Sequence, residues 1–209
     1  MIDLKPVQWV KHIAVHPFEG FENMRWKKSG SIKIAFFIVF LLFLSLIAKE
    51  RFYGFQFHSS YDKTFNIIPF ISGSIIIFTA WVIGNWSVCT LLDGEGTMKN
   101  ICIYSAYALV PYIAQNFINT VLSHLLIRDE FVFMQAIEII GVCWTALLLF
   151  SAVKSVHQYT FRKTVLAIIL IMASIMIMFI LLVLFLALIQ QIYNFILTVY
   201  TEISYRVRV

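Results

Sequence analysis

Apolar residues in this chain come in long blocks rather than in the alternating or one-sided patterns of a soluble domain. Five runs approach or exceed the roughly twenty residues a membrane-crossing helix needs. They lie at about 32–48, 66–92, 101–127, 133–153 and 164–190, with helical character in the last continuing to about 200. The expected fold is therefore all-α: a polytopic membrane protein built as a bundle of five transmembrane helices. Before the first run, residues 1–30 read as an amphipathic interfacial segment. Val7, Trp9, Val10 and Ile13 can share one side while Lys5, Lys11 and His12 take another, and Phe18, Phe21 and Met24 recur after Pro17. Such a segment is expected to lie in the headgroup layer, with Arg25, Lys27, Lys28 and Lys33 crowding the membrane edge as a basic surface. Residues 201–209 read as a tail beyond the last helix.

Composition agrees. Hydrophobic residues make up 61% of the chain and charged ones 13%, and the mean hydropathy is +0.87; a soluble domain carries about 25% charged residues. With 209 residues the chain holds several spans and no sizeable soluble domain. About thirty residues precede the first apolar run, so no cleavable signal peptide is expected. Cys89, Cys102 and Cys143 fall within or at the ends of apolar runs and read as small packing residues, not a disulfide framework.

Orientation follows from the short loops. With the N-terminus inside, ten basic residues face the cytoplasm: Lys5, Lys11, Arg25, Lys27, Lys28, Lys33, Lys99, Lys154, Arg162 and Lys163. Six face outward: Lys49, Arg51, Lys63, Arg128, Arg206 and Arg208. The expected arrangement is N-terminus cytoplasmic and C-terminus extracytoplasmic.

The stretch from Asp93 to Ser123 carries the most information. Asp93, Gly94, Glu95, Gly96 and Thr97 form a polar turn before the third run, with glycine supplying positive φ and Asp or Thr a helix cap. Pro111 inside that run predicts a kink near Ala108 to Pro111. Beyond it, Ala108, Tyr112, Asn116, Asn119 and Ser123 share one helical face, opposite a small or polar face of Glu138, Gly141, Thr145 and Ala152 on the fourth run. The two faces define an internal polar seam whose mouth Gln190, Gln191 and Asn194 could reach. Within it, His124 and Glu138 are expected to touch or to share one water, because a lone charge inside a membrane is costly. The seam reads either as interhelical hydrogen bonding or as a small polar cavity centred on Glu138.

The Gly94-x-Gly96-Thr97 turn before Ile101, the run Tyr107-Ala108-Leu109-Val110-Pro111-Tyr112 and the upstream His16-Pro17-Phe18 resemble bacterial members of the YIP family, the Ypt/Rab-interacting membrane proteins. The likeness covers nearly the whole chain in segment order. It implies five spans in the orientation above and a non-catalytic role in a bacterial plasma membrane. The Asp-Leu-Tyr-Gly-Pro signature of the eukaryotic branch is not present, so a GTPase partner is not implied.

No nucleophile elbow and no His-Glu-x-x-His occurs, and no cofactor or metal is expected. The turn at 93–97 and the basic loop from Lys154 to Lys163 read as docking surfaces for a cytoplasmic partner. The expected function is an interaction or scaffold subunit, accessory to a larger transport or trafficking complex. Its partners would be the lipid bilayer and another membrane protein, an ABC-type transporter being one case, or a second copy of the chain; nucleic acid is not among them. The alternative is a small transporter or channel using Asn116, Asn119, His124 and Glu138.

Overall fold

The computed structural model describes residues 6–27, 29–57 and 66–207. Lys28 of the expected basic surface lies outside the described residues, as do Lys5, Tyr61, Lys63 and Arg208. Two short helices, α1 (Pro6–Val15) and α2 (Pro17–Trp26), precede α3 (Ile32–Arg51). Then come α4 (Ile68–Ile71), a π-helical stretch (Ser72–Ile76) and α5 (Ile77–Leu91), which run on as one rod. These are followed by α6 (Met98–Ala108), α7 (Val110–Leu122), α8 (Phe131–His157) and α9 (Phe161–Val207).

Among the described residues five helices are long and apolar enough to cross a membrane: Ile32–Arg51, Ile68–Leu91, Met98–Leu122, Arg128–His157 and Phe161–Arg206. They alternate in direction. We call the end of the bundle that carries α1, α2, the 92–97 turn and the 158–160 link the near end, and the other the far end.

Proline and glycine set the local geometry. Pro111 sits in the first turn of α7, where its missing N–H costs least, and the rod formed by α6 and α7 is interrupted at Leu109 (φ −81°, ψ −7°). Thr97 caps α6 by accepting a hydrogen bond from the Asn100 N–H. The positive φ expected of a glycine in the 93–97 turn belongs instead to Asp93 (φ 56°), and no glycine has one. The glycines there serve close approach.

The amphipathic segment differs from its sequence expectation. Of its apolar side, Trp9, Ile13, Phe21 and Met24 are fully buried in the same core as Ile101, Ile103, Tyr104 and Leu148, covered by α6 and α8, while Val10 is half-buried and Phe18 stays exposed. Phe21 lies 5.8 Å from Tyr104 ring to ring, and Trp144 Nε1 donates to the Ala14 carbonyl at 2.8 Å. Burial of four such side chains contributes about 1.5–3 kcal/mol each relative to exposure in water.

The last helix packs along α5 through Ala167, Ile171 and Ile175. A Cβ at Gly84 would come within 2.9 Å of Ile175 Cγ1, so this glycine lets the two rods close. Gln190, Gln191 and Asn194 are exposed and lie away from the α7–α8 seam. The residues expected as a tail from 201 continue the helix to Val207.

Candidate functional site

The near end carries the most elaborate polar arrangement in the molecule. Helix α5 closes at Leu92, and the chain turns back so that the Gly94 N–H donates to the Cys89 carbonyl at 2.7 Å. Across from it α8 ends at Gln158, which adopts the left-handed conformation (φ 56°, ψ 37°) typical of a helix stop. That stop turns Tyr159 inward. Its hydroxyl lies 3.1 Å from the Cys89 carbonyl and 3.2 Å from the Leu92 carbonyl, closing the end of α5 with the oxygens a helix leaves unpaired. Burial raises the Tyr159 phenol above its ordinary range, with Cys89 and Asp93 acting in the same direction, so it stays a donor.

His157 is the pivot. The Gly96 N–H donates to its Nδ1 at 3.3 Å, so the proton of the neutral ring sits on Nε2, which donates to Asn85 Oδ1 at 3.0 Å. The same Asn85 oxygen accepts from Cys89 Sγ at 3.3 Å. The imidazole stacks on the Tyr159 ring at 5.3 Å, and Lys163 Nζ lies 4.6 Å from the centroid of that same ring.

This proximity explains the two glycines. A Cβ on Gly94 would meet the Tyr159 hydroxyl at 2.6 Å and the Cys89 carbonyl at 2.8 Å; one on Gly96 would meet His157 Cε1 at 2.5 Å as well as Val156 Cγ1. The turn is seated backbone-first on α8, and its side chains point away. Asp93, Glu95, Thr97 and Lys99 are all exposed. Arg25 ties α2 to this surface, donating to the Ser155 carbonyl at 2.7 Å and pairing with Glu95. Beside the pair a cleft of about 370 Å³ is lined by Arg25, Ser29, Glu95, Lys99, Asn100 and Tyr104 among others. Of the other basic residues, Lys27 lies 5.8 Å over the Trp9 ring and Lys154 5.7 Å over Phe18, while Lys33 is exposed.

Cys89, His157 and Asn85 are the residue types of a thiol hydrolase, but their order is wrong for one. There the imidazole faces the thiol and the amide orients its other nitrogen. Here the thiol addresses the amide, the remaining imidazole nitrogen is taken by Gly96, and Cys89 is fully buried. Both ring nitrogens of His157 are consumed in holding the turn.

Toward the far end lies the polar seam. Asn116, Asn119 and Ser123 are buried on α7 and just beyond it, and they bond locally. Asn116 Nδ2 donates to Ser45 Oγ at 3.3 Å and Gln115 Nε2 to Asn116 Oδ1 at 3.3 Å. Asn119 Nδ2 donates to the Met134 carbonyl at 3.1 Å. Ser123 donates to the Thr120 carbonyl and accepts from the Gly54 N–H at 2.8 Å. Three buried oxygens here, Gln115 Oε1, Asn119 Oδ1 and Thr145 Oγ1, lack a protein partner. Tyr112 is half-buried and lines, with Thr145 and Ser105, a mainly apolar crevice of about 290 Å³ beside α3 and α5.

The expected contact between His124 and Glu138 is not formed. Glu138 Oε1 pairs with Lys49 Nζ of α3 at 2.6 Å, and exposed His124 hydrogen-bonds through Nε2 to the Phe52 carbonyl at 2.7 Å. The reason is geometric: α3 also flanks the α7–α8 pair, and its final turn brings a primary ammonium to the carboxylate. Asn85 and Tyr159 were not singled out from the sequence, and Lys49 was counted there only as an outward-facing basic residue. The signal for Asn85 was present, an amide inside an apolar run four residues before a cysteine.

The architecture defines a multi-pass α-helical membrane protein with a clamped polar turn at one end. A family model, the Yip1 domain, matches residues 11–185, and the chain belongs to that family. No curated protein and no solved structure matches it.

Proposed function

We propose that this chain is a non-catalytic membrane interaction protein whose docking surface is the 93–97 turn together with the Arg25–Lys99 cleft, displayed on the cytoplasmic face. The observation that carries the reading is the clamp. A loop that only connects two helices does not need its backbone fixed by His157, Asn85 and Tyr159, whereas a recognition surface gains affinity from being preorganised. The orientation rests on the ten-to-six distribution of basic residues. The non-catalytic character is supported by His157, whose two nitrogens are both engaged. The partner is another membrane protein, with an ABC-type transporter as the first case to examine in an accessory role.

Charge reversal of the tip, Asp93→Lys with Glu95→Lys, is expected to lower the amount of co-purifying partner about tenfold, the equivalent of about 1.4 kcal/mol. Thermal stability should change little, since an exposed ion pair such as Arg25–Glu95 contributes at most about 1 kcal/mol. Gentle-detergent capture of the full-length protein with quantitative mass spectrometry reads the result; an unchanged set of partners removes the docking assignment.

A transporter or channel using Asn116, Asn119, His124 and Glu138 is the second reading, favoured by the three unpartnered oxygens in the seam. It requires that Glu138→Gln abolish a flux measured in vesicles; a flux that survives this substitution, or no flux from the unaltered protein, removes it.

A further inference from the structure

Helix α9 is far longer than a membrane is thick. Its 47 residues span about 70 Å, against about 40–45 Å for a bilayer with its headgroups. It also exceeds its antiparallel neighbour α8, which has 27 residues, so about 20 residues, or about 30 Å of helix, stand clear of the bundle at the far end. The sequence marks where the lipid stops. Between Val165 and Ile189 the only polar side chain is Ser174, as suits a helix surrounded by lipid and other helices; from Gln190 onward polar residues return on one side.

The pattern of that return is specific. Phe185, Ile192 and Val199 alternate with Ile189, Ile196 and Ile203 at spacings of four and three residues, the seam of a left-handed coiled coil. Gln190, Gln191, Asn194, Thr198 and Thr201 occupy the opposite side. Every one of these seam residues is exposed in the single chain. Ile192, Ile196, Val199 and Ile203 lie beyond the apolar stretch that ends at Ile189, and an isolated helix presenting them to water is not stable by itself, so the stripe needs a cover.

We propose that the cover is further copies of this chain: residues 185–203 form a parallel coiled coil that joins three or more copies at the face opposite the docking turn. Three observations select a copy of the same chain. All copies inserted in one membrane emerge from it in the same direction and at the same residue, so parallel alignment in register is imposed by the bilayer. Among the described residues beyond 185 the only charged side chains are Glu202 and Arg206, which pair with each other within the helix at 2.9 Å; Arg206 stands at the next seam position after Ile203 and closes the stripe, which up to that point carries no charge. Isoleucine throughout one seam position and Phe185, Ile192 and Val199 at the other, with no leucine at either, widened by Tyr193, Phe195 and Tyr200, suits assemblies larger than a dimer. The extension begins where the Yip1 domain match ends, at residue 185, and the proposal does not rest on the docking reading, which concerns the near end.

Cysteine cross-linking tests it in full-length protein carrying Cys102→Ala and Cys143→Ala, purified and reconstituted in phosphatidylcholine vesicles. Oxidation should join copies several-fold more efficiently in Ile192→Cys and Ile196→Cys than in Asn194→Cys and Thr201→Cys, which face away from the seam. Equal cross-linking at all four positions, or none, overturns the proposal. As a second measurement, the unaltered chain should have the mass of at least three copies in mild detergent and the paired substitution Ile192→Asn, Ile196→Asn should reduce it to one. A monomeric unaltered chain, or an assembly that survives the paired substitution, overturns it equally.

Discussion

Replacing Gly96 by valine is expected to release the near-end turn and to destabilise the protein by about 2–4 kcal/mol. The first Cβ atom would collide with the His157 ring and with Val156, neither of which can retreat, because His157 is held at both nitrogens and α8 is buried behind it. Overpacking of this kind costs about 1–3 kcal/mol. If the turn moves away to relieve it, the Gly96 N–H loses the imidazole, at a further cost of about 1 kcal/mol. For a chain of this size the sum corresponds to a fall in unfolding temperature of about 5–15 °C. Gly73→Ala supplies the control, because its Cβ would meet nothing closer than Leu46 Cδ1 at 3.5 Å, and it should leave the midpoint unchanged or slightly raised. Melting both variants in the same detergent decides the matter: if Gly96→Val melts with Gly73→Ala, the turn is not clamped by its backbone.

The same residues show which parts of the structure could be read from the sequence. Five crossings were legible because twenty consecutive apolar residues have almost no other use in a chain of this size. The break in the third rod was legible because proline removes a donor and fixes φ wherever it stands. The role of the glycines was legible only in part. Glycine in a turn signals either positive φ or close approach, and here Asp93 takes the positive φ while Gly94 and Gly96 make room for His157 and Tyr159. The partner in that approach is about sixty residues away, and nothing local to the turn identifies it. The amphipathic N-terminal segment shows a similar limit. Periodicity marks Trp9, Ile13, Phe21 and Met24 as one side of a helix pair, but an apolar face is covered equally well by lipid or by protein, and only the packing on α6 and α8 decides. The polar seam reads from the sequence as lying between the third and fourth runs, with its charge paired to a residue of the adjoining run, when a third helix stands at the same level.

That third helix yields the second large effect. Lys49→Met is expected to destabilise the protein by about 1–3 kcal/mol, because it leaves the Glu138 carboxylate, half-exposed on a membrane-crossing helix, without a partner where a lone charge is penalised. Glu138→Gln should cost less than about 1 kcal/mol, since Lys49 stands two residues from the end of α3 and its flexible stem can carry the freed ammonium to the headgroups. The asymmetry separates a charge trapped in the bundle from one that escapes to the surface. The double replacement Lys49→Met, Glu138→Gln then restores most of the loss, because two uncharged side chains replace the ion pair without leaving a charge behind. Stability of the four proteins measured by mixed-micelle denaturation gives the coupling directly. Additive single effects mean that the two side chains meet without depending on each other.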